Sequence, residues 1–414
     1  MAPALAGPAK IVRGETMTGS LPAAHGPWTR ALLYLLERAS VGRIDVVFPG
    51  GRRHSFQGAV PGPSAEIELR DETVVRRLLT GGDVAFAEAY MAGDWDSPDP
   101  AAVIEYAVRN ADAIDTHLKE TLWGGLLRRA LHMLRTNTRF GSRRNISYHY
   151  DLGNDFYRLW LDPTMTYSSA LFEREDVSLE EAQRAKYRRL VQLLGLEAGQ
   201  SVLEIGCGWG GFAMTAAGER DCKVTGLTLS ERQRDFALSR AAEAGLADRI
   251  DIRLEDYRDT QGQFDRIASI EMFEAVGERY WPVFFERMRD RLTQGGLAAM
   301  QIITIAEDRF EAYRARPDFI QRYIFPGGML PTVTHLKSLA SSVNMDWIGD
   351  DGFGQDYART LNLWRQRFVA AWPEIRNLGF DERFKRMWQY YLAYCEGGFR
   401  AGSIDVRQIV IQRS

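Results

Sequence analysis

One stretch constrains the fold more than any other: Ser201-Val202-Leu203-Glu204-Ile205-Gly206-Cys207-Gly208-Trp209-Gly210-Gly211-Phe212. Its short apolar run predicts a buried strand, and a glycine-rich turn follows. Phe212-Ala213-Met214-Thr215-Ala216-Ala217 then opens a helix. Glycine at such a junction lets backbone N–H groups approach a ligand closely, and the helix N-terminus offers unpaired donors. A bulky polar ligand is expected on this turn.

Two cofactors compete for it. Gly206, Gly208 and Gly211 satisfy the three-glycine dinucleotide pattern, a weak signal when it stands alone. A dinucleotide site also needs an acid at the end of the second strand to bind the ribose hydroxyls. The second strand is read as Lys223-Val224-Thr225-Gly226-Leu227, and it runs out in Thr228-Leu229-Ser230 with no carboxylate. Glu204 instead stands just before the first glycine, as in class I methyltransferases. S-adenosylmethionine brings an amino acid and a sulfonium rather than a pyrophosphate, and the residues favour it over NAD.

Composition narrows the classes. At 414 residues there is room for about two to three domains. A 45% hydrophobic and 26% charged content is that of an ordinary globular protein, and the net charge of −3 provides no global field for nucleic acid. Three scattered cysteines (Cys207, Cys222, Cys395) build neither a disulfide frame nor a zinc cluster and point to a reducing cytoplasm. The six histidines show no metal-ligand spacing, so no metal is expected. No apolar run approaches about 18 residues, the length of a membrane span.

In chain order, residues 1–28 are rich in Ala, Gly and Pro without periodicity and read as a disordered tail. Residues 29–115 read as a small α+β domain. It holds a helix from Trp28, strand-like pieces at 43–48, 53–56 and 65–69, a Gly50-Gly51 hairpin signal, helical patterns at 74–79 and 84–91, and a loop at 93–96. Residues 116–146 read as a basic amphipathic linker helix. Leu122, Leu126, Leu127, Leu131 and Leu134 fall near one face, with seven cations against one acid between 118 and 144. Such a helix either lies in an anionic lipid surface or bridges domains with a solvated face.

The segments Tyr148–Tyr157 and Leu161–Ala170 carry dense motif residues. Together with Gly206–Gly211, Gly226–Ser230, Met272-Phe273-Glu274, Tyr323–Gly328 and Ala371–Ile375, they make the chain resemble the cyclopropane-fatty-acid synthase family. Glu88–Met91 and Gly93-Asp94-Trp95 extend the likeness to the N-terminal region of its two-domain bacterial members.

The resemblance implies an α/β fold, a doubly wound seven-stranded Rossmann-like methyltransferase sheet over 147–414 beside the smaller N-terminal α+β domain. Strands are read at 201–205, 222–227, 250–254, 264–270, 296–305 and 406–411, with a helix over 231–244 capped by Ser230. The implied reaction is methyl transfer from S-adenosylmethionine to a cis double bond in an acyl chain of a membrane phospholipid, leaving a ring or a methyl or methylene branch. The expected setting is cytoplasmic and peripheral, at the inner face of the membrane, without nucleic acid. Assembly into a homo-oligomer stays an open alternative. A non-catalytic lipid- and donor-binding relative is the second reading.

Donor contacts implied by the resemblance are Tyr167, Ser168, Gly206 and Gly208 at the methionine part, Thr228, Leu229 and Gln233 at the ribose, and Asp256 at the adenine. Glu204 belongs either to the donor site or to the turn's own backbone. Thr228 and Asp256 have a bland alternative as caps of local structure. On the acceptor side the family holds a bicarbonate through a Cys, a Glu, a His and a Tyr. Glu274 and Tyr357 match the Glu and the Tyr, but Ser169 stands for the Cys and Ile303 for the His, which leaves bicarbonate doubtful.

Glu271, three residues before Glu274, is where relatives carry a small residue. If helical, the segment puts both carboxylates on one face, where one pKa rises and the pair can pass a proton. The alternative pairs Glu271 with an arginine such as Arg322. Tyr323, Phe325 and Tyr394 are expected along the substrate channel.

Overall fold

The computed structural model describes residues 26–120 and 152–414. The expected tail falls outside the described residues as far as 25, and so does the basic stretch beyond Glu120. The first helix already starts at Pro27, inside the expected tail; proline suits a first helical turn, whose N–H has no partner in any case.

A four-stranded sheet comes first, built from β1 (Val41–Val47), β2 (Arg53–Gln57), β3 (Val60–Leu69) and β4 (Trp95–Asp96) in the order β2-β1-β3-β4. The β1–β2 pair is antiparallel and turns at Gly50-Gly51, both in the left-handed region. Two of the predicted loop residues, Trp95 and Asp96, instead pair with Leu69 and Glu68. The two predicted helical pieces form one element, Thr73–Ala92, broken at Gly82 (φ 67°, ψ −160°).

The second sheet has seven strands: β5 (Ser201–Ile205), β6 (Lys223–Thr228), β7 (Ile250–Leu254), β8 (Phe264–Ile270), β9 (Leu292–Ile305), β10 (Met345–Gly352) and β11 (Ile404–Arg413). Their order is β10-β11-β9-β8-β5-β6-β7, with β5 to β9 parallel and β11 antiparallel between β9 and β10. Alternation along β5 sends Val202 to one apolar layer and Leu203 to the other. Helices Leu179–Leu193 and Gly211–Arg220 cover the first face, and Trp281–Arg291 and Val333–Ser342 the second. From β5 the chain winds one way through β6 and β7, and the other way through β8 and β9. The carboxyl ends of β5 and β8 therefore meet at a topological switch point, where open α/β sheets bind ligands.

The two sheets are joined by packing. A third apolar cluster runs from Val46 and Ile67 through Ile104 to Trp364, Trp388 and Tyr390. The carboxylate of Glu396, fully buried, accepts from Asn362 (2.8 Å), Arg365 (3.0 Å) and Arg400. Both arginines also reach Asp99, just ahead of helix Pro100–Glu120, at 3.0 and 3.2 Å. Among the described residues no helix is long and apolar enough to cross a membrane, and no His, Cys, Asp or Glu cluster could hold a metal ion.

Candidate active site

A cavity of about 1550 Å³ opens at the switch point and runs from the glycine turn to Asp83, Ile104 and Val108 near the first sheet. The turn is tied to β6 through the amides of Gly206 and Cys207, which both donate to the Leu227 carbonyl (3.1 and 2.8 Å). Gly206 holds φ at 83°, and a Cβ there would sit 2.7 Å from Cγ of Met272. Gly208 (φ 51°) has open space on its cavity side.

Glu204 is buried beneath the turn. It accepts from the Ala213 amide, while its Oε2 has no hydrogen-bond partner among the described residues. Burial pushes it well above the usual carboxylate range, against the Ala213 amide and the charge of Lys186.

The remaining donor-side residues all line the cavity. Thr228 donates to Gln233 Oε1 at 2.8 Å and accepts from the Ser230 amide at 3.1 Å, within the cap of helix Glu231–Glu243. Leu229 is 76% exposed, at the rim. Asp256 is bound by Arg258 at 2.6 and 2.9 Å, contacts that hold its carboxyl below the ordinary value. The Tyr167 and Tyr391 hydroxyls share a hydrogen bond of 2.8 Å. Ser168 Oγ accepts from Nζ of Lys186 at 2.6 Å. An unfilled space beside Gly208, amides at a helix start and a buried carboxyl oxygen without a partner fit an amino-acid-bearing sulfonium.

The acceptor side departs from the expected helical pair. Glu271 directly follows β8 in the left-handed region (φ 49°), and a single 3₁₀ turn, Phe273–Ala275, carries Glu274. The two carboxylates meet through this turn rather than along a helix face, and their environments differ. Glu271 is saturated: Oε1 accepts from the Ser169 amide (2.8 Å) and from Gln301 (2.7 Å), and Oε2 from the Tyr357 hydroxyl (2.6 Å). Glu274 Oε1 accepts from the Ile303 amide (2.5 Å), but its buried Oε2 has no partner among the described residues. Burial, and next the neighbouring Glu271, push Glu274 up to about 8.

Arg322 does not pair with Glu271; it reaches Glu88 at 3.4 Å. The Ser169 hydroxyl donates to the Ala170 carbonyl (2.9 Å) and the residue is absent from the cavity wall, so it meets the site only through its backbone, the amide on Glu271 and the carbonyl on Gln301. Ile303 offers an apolar side chain, and Tyr357 spends its proton on Glu271. With Glu274 ionised, an anion placed here would meet two carboxyl groups and no uncommitted donor from these residues; protonated, Glu274 alone would offer one. With Ile303 in place of the His and Tyr357 committed to Glu271, they fit bicarbonate poorly.

Of the expected channel residues, Phe325 and Tyr394 line the cavity. Tyr323 does not; its hydroxyl donates to Glu88 at 2.6 Å. Ile303, Ile305, Met329 and Leu330 make much of the remaining wall apolar. The half-buried Cys395 also lines it, and desolvation pushes its thiol up. Sequence reasoning missed Gln301, which clamps Glu271, and Lys186. The only sequence signal for Lys186 is its place on the buried stripe of Leu179, Ala182, Gln183, Tyr187 and Leu190.

Sheet order, glycine turn and buried carboxyls together define a class I S-adenosylmethionine-dependent methyltransferase. A family model described as mycolic acid cyclopropane synthetase matches residues 137–409, and the chain belongs to that family. It is 39% identical over 363 residues to the tuberculostearic acid methyltransferase UfaA1 of Mycobacterium tuberculosis, covering 83% of this chain and 82% of that protein. Identity to the cyclopropane-fatty-acyl-phospholipid synthase of Escherichia coli K12 is 34% over 400 residues, 93% of this chain and 94% of the other. Among solved structures, the mycolic acid cyclopropane synthase CmaA1, complexed with SAH and CTAB, superimposes with a TM-score of 0.61 at 34% identity, over 67% of this chain and 99% of that one.

Proposed function

We propose that this enzyme transfers the methyl group of S-adenosylmethionine to the cis double bond of an unsaturated acyl chain, that the chain belongs to a membrane phospholipid, and that Glu274 is the base. The observation carrying this reading is the partnerless carboxyl oxygen of Glu274 in the wall of an apolar cavity continuous with the glycine turn. Bound donor supplies an electrophilic methyl. An alkene is a weak nucleophile, so the protein's share is to hold the double bond in line and to exclude water. Ile303, Phe325, Met329 and Leu330 provide the dry wall.

The alkene π pair forms the new C–C bond and leaves a cation on the neighbouring acyl carbon. Glu274 takes a proton from the lipid, and the electrons of that C–H bond quench the cation. The product gains one CH2: loss of a proton from the added methyl closes a ring, whereas a prior 1,2-hydride shift that moves the cation onto the methylated carbon, followed by the same loss, leaves a methylene branch. Tyr391 and Phe399 line the same cavity, and an aromatic ring presented face-on there would favour a transient cation.

The names of the relatives support a fatty-acyl acceptor. Incubation with methyl-labelled donor and vesicles of cis-unsaturated phospholipid is expected to put label into saponifiable fatty acid. A donor-binding protein that leaves the acyl chains unlabelled contradicts the proposal.

A further inference from the structure

Lysine normally keeps its ammonium in water, yet Lys186 is fully buried. Three carboxyl groups from separate elements face it: Glu204 from β5, Glu271 from just beyond β8, and Asp162 from the segment before helix Leu179–Leu193. Its Nζ also lies 4.2 Å from the centroid of the Tyr187 ring. Burial presses this ammonium down to about 7, and the three carboxyls oppose that.

Among the described residues, the one hydrogen bond from Nζ goes to Ser168 Oγ. The backbone of Ser168 is fixed as well, because Gln183 Nε2 donates to its carbonyl at 2.8 Å. A hydroxyl that accepts from an ammonium must send its own proton elsewhere. No acceptor for that proton exists among the described residues, and Ser168 lines the cavity beside the glycine turn. The proton is left for a ligand, and the charge behind it suits an anionic group.

We propose that Lys186 is a positioning residue for the methyl donor, holding the Ser168 hydroxyl as a hydrogen-bond donor to the carboxylate of the methionine part. The inference rests on the placement of Ser168 at that part of the donor. A lysine that merely balances Glu204 and Glu271 has no reason to sense the ligand's carboxylate.

Two ligands separate these roles. S-adenosylhomocysteine carries the amino-acid carboxylate, and 5′-methylthioadenosine lacks it. In calorimetric titrations of the full chain, Lys186→Met is expected to weaken S-adenosylhomocysteine by roughly 10- to 100-fold and to leave methylthioadenosine unchanged. Ser168→Ala is expected to do the same, and the double variant to add little to either single change. Equal weakening of both ligands, or an unchanged affinity for S-adenosylhomocysteine, overturns the proposal.

Should Lys186→Met fail to fold, the affinity ratio of the two ligands is read on the unaltered protein from about pH 6 to 9. It is expected to fall as Lys186 loses its proton near pH 7, and a flat ratio overturns the inference. An unaltered protein that binds neither ligand contradicts the donor site itself, a separate result.

Discussion

Glu271 and Glu274 stand three positions apart and are held in opposite ways. Three donors saturate the first; the second keeps one oxygen bare in an apolar wall. A base must be ionised, and Glu274 is pushed up to about 8, so turnover is expected to rise with pH through about 8 and level off above it. Glu271→Gln removes the second cause of that shift and should move the limb to lower pH; an unmoved limb contradicts the coupling. Neither the division of labour nor Lys186 could be read from the sequence. The contacts of Glu271 join residues 30 to 102 positions apart, and Lys186 sits in a run of charged residues that look alike in one dimension. Only the family resemblance pointed to Glu274 and Tyr357, both of which line the cavity, while Ser169 was matched by position although its hydroxyl turns away.

At the level of elements, the strand–turn–helix around Gly206 was legible because its signals are local: an apolar run, glycines, then helix formers. The Ser230 cap was legible for the same reason. Strand β10 was not. Its sequence Met345-Asp346-Trp347-Ile348-Gly349-Asp350-Asp351-Gly352 is polar and glycine-bearing, as an edge strand tolerates, and only Met345 is buried. The helix predicted to carry both glutamates failed because a left-handed residue directly follows β8, which no propensity at Glu271 announces. The glycine turn itself can be tested. Gly206→Ala adds a Cβ 2.7 Å from Met272 at a positive φ, and a stability loss above about 1 kcal/mol is expected in denaturant melts, together with weaker donor binding.

Across the whole molecule, the four-stranded sheet is welded to the methyltransferase sheet by a shared apolar cluster and by the Glu396–Arg365–Arg400–Asp99 network. Removing Glu396 takes from two largely buried guanidinium groups one of their two carboxylate partners, and Glu396→Leu is expected to cost about 3 kcal/mol in equilibrium unfolding. Ile104 and Val108 extend the cavity wall toward the first sheet. We also propose that the cations between Lys119 and Arg144 hold the enzyme at an anionic bilayer; neutralising them should abolish flotation with such vesicles and leave S-adenosylhomocysteine affinity intact. The most direct measurement compares the unaltered enzyme with Glu274→Gln, following label transfer from donor to phospholipid acyl chains alongside donor affinity. The account predicts a loss of roughly 10²- to 10⁴-fold in transfer at unchanged donor affinity. Transfer that proceeds at the original rate without this carboxylate contradicts it.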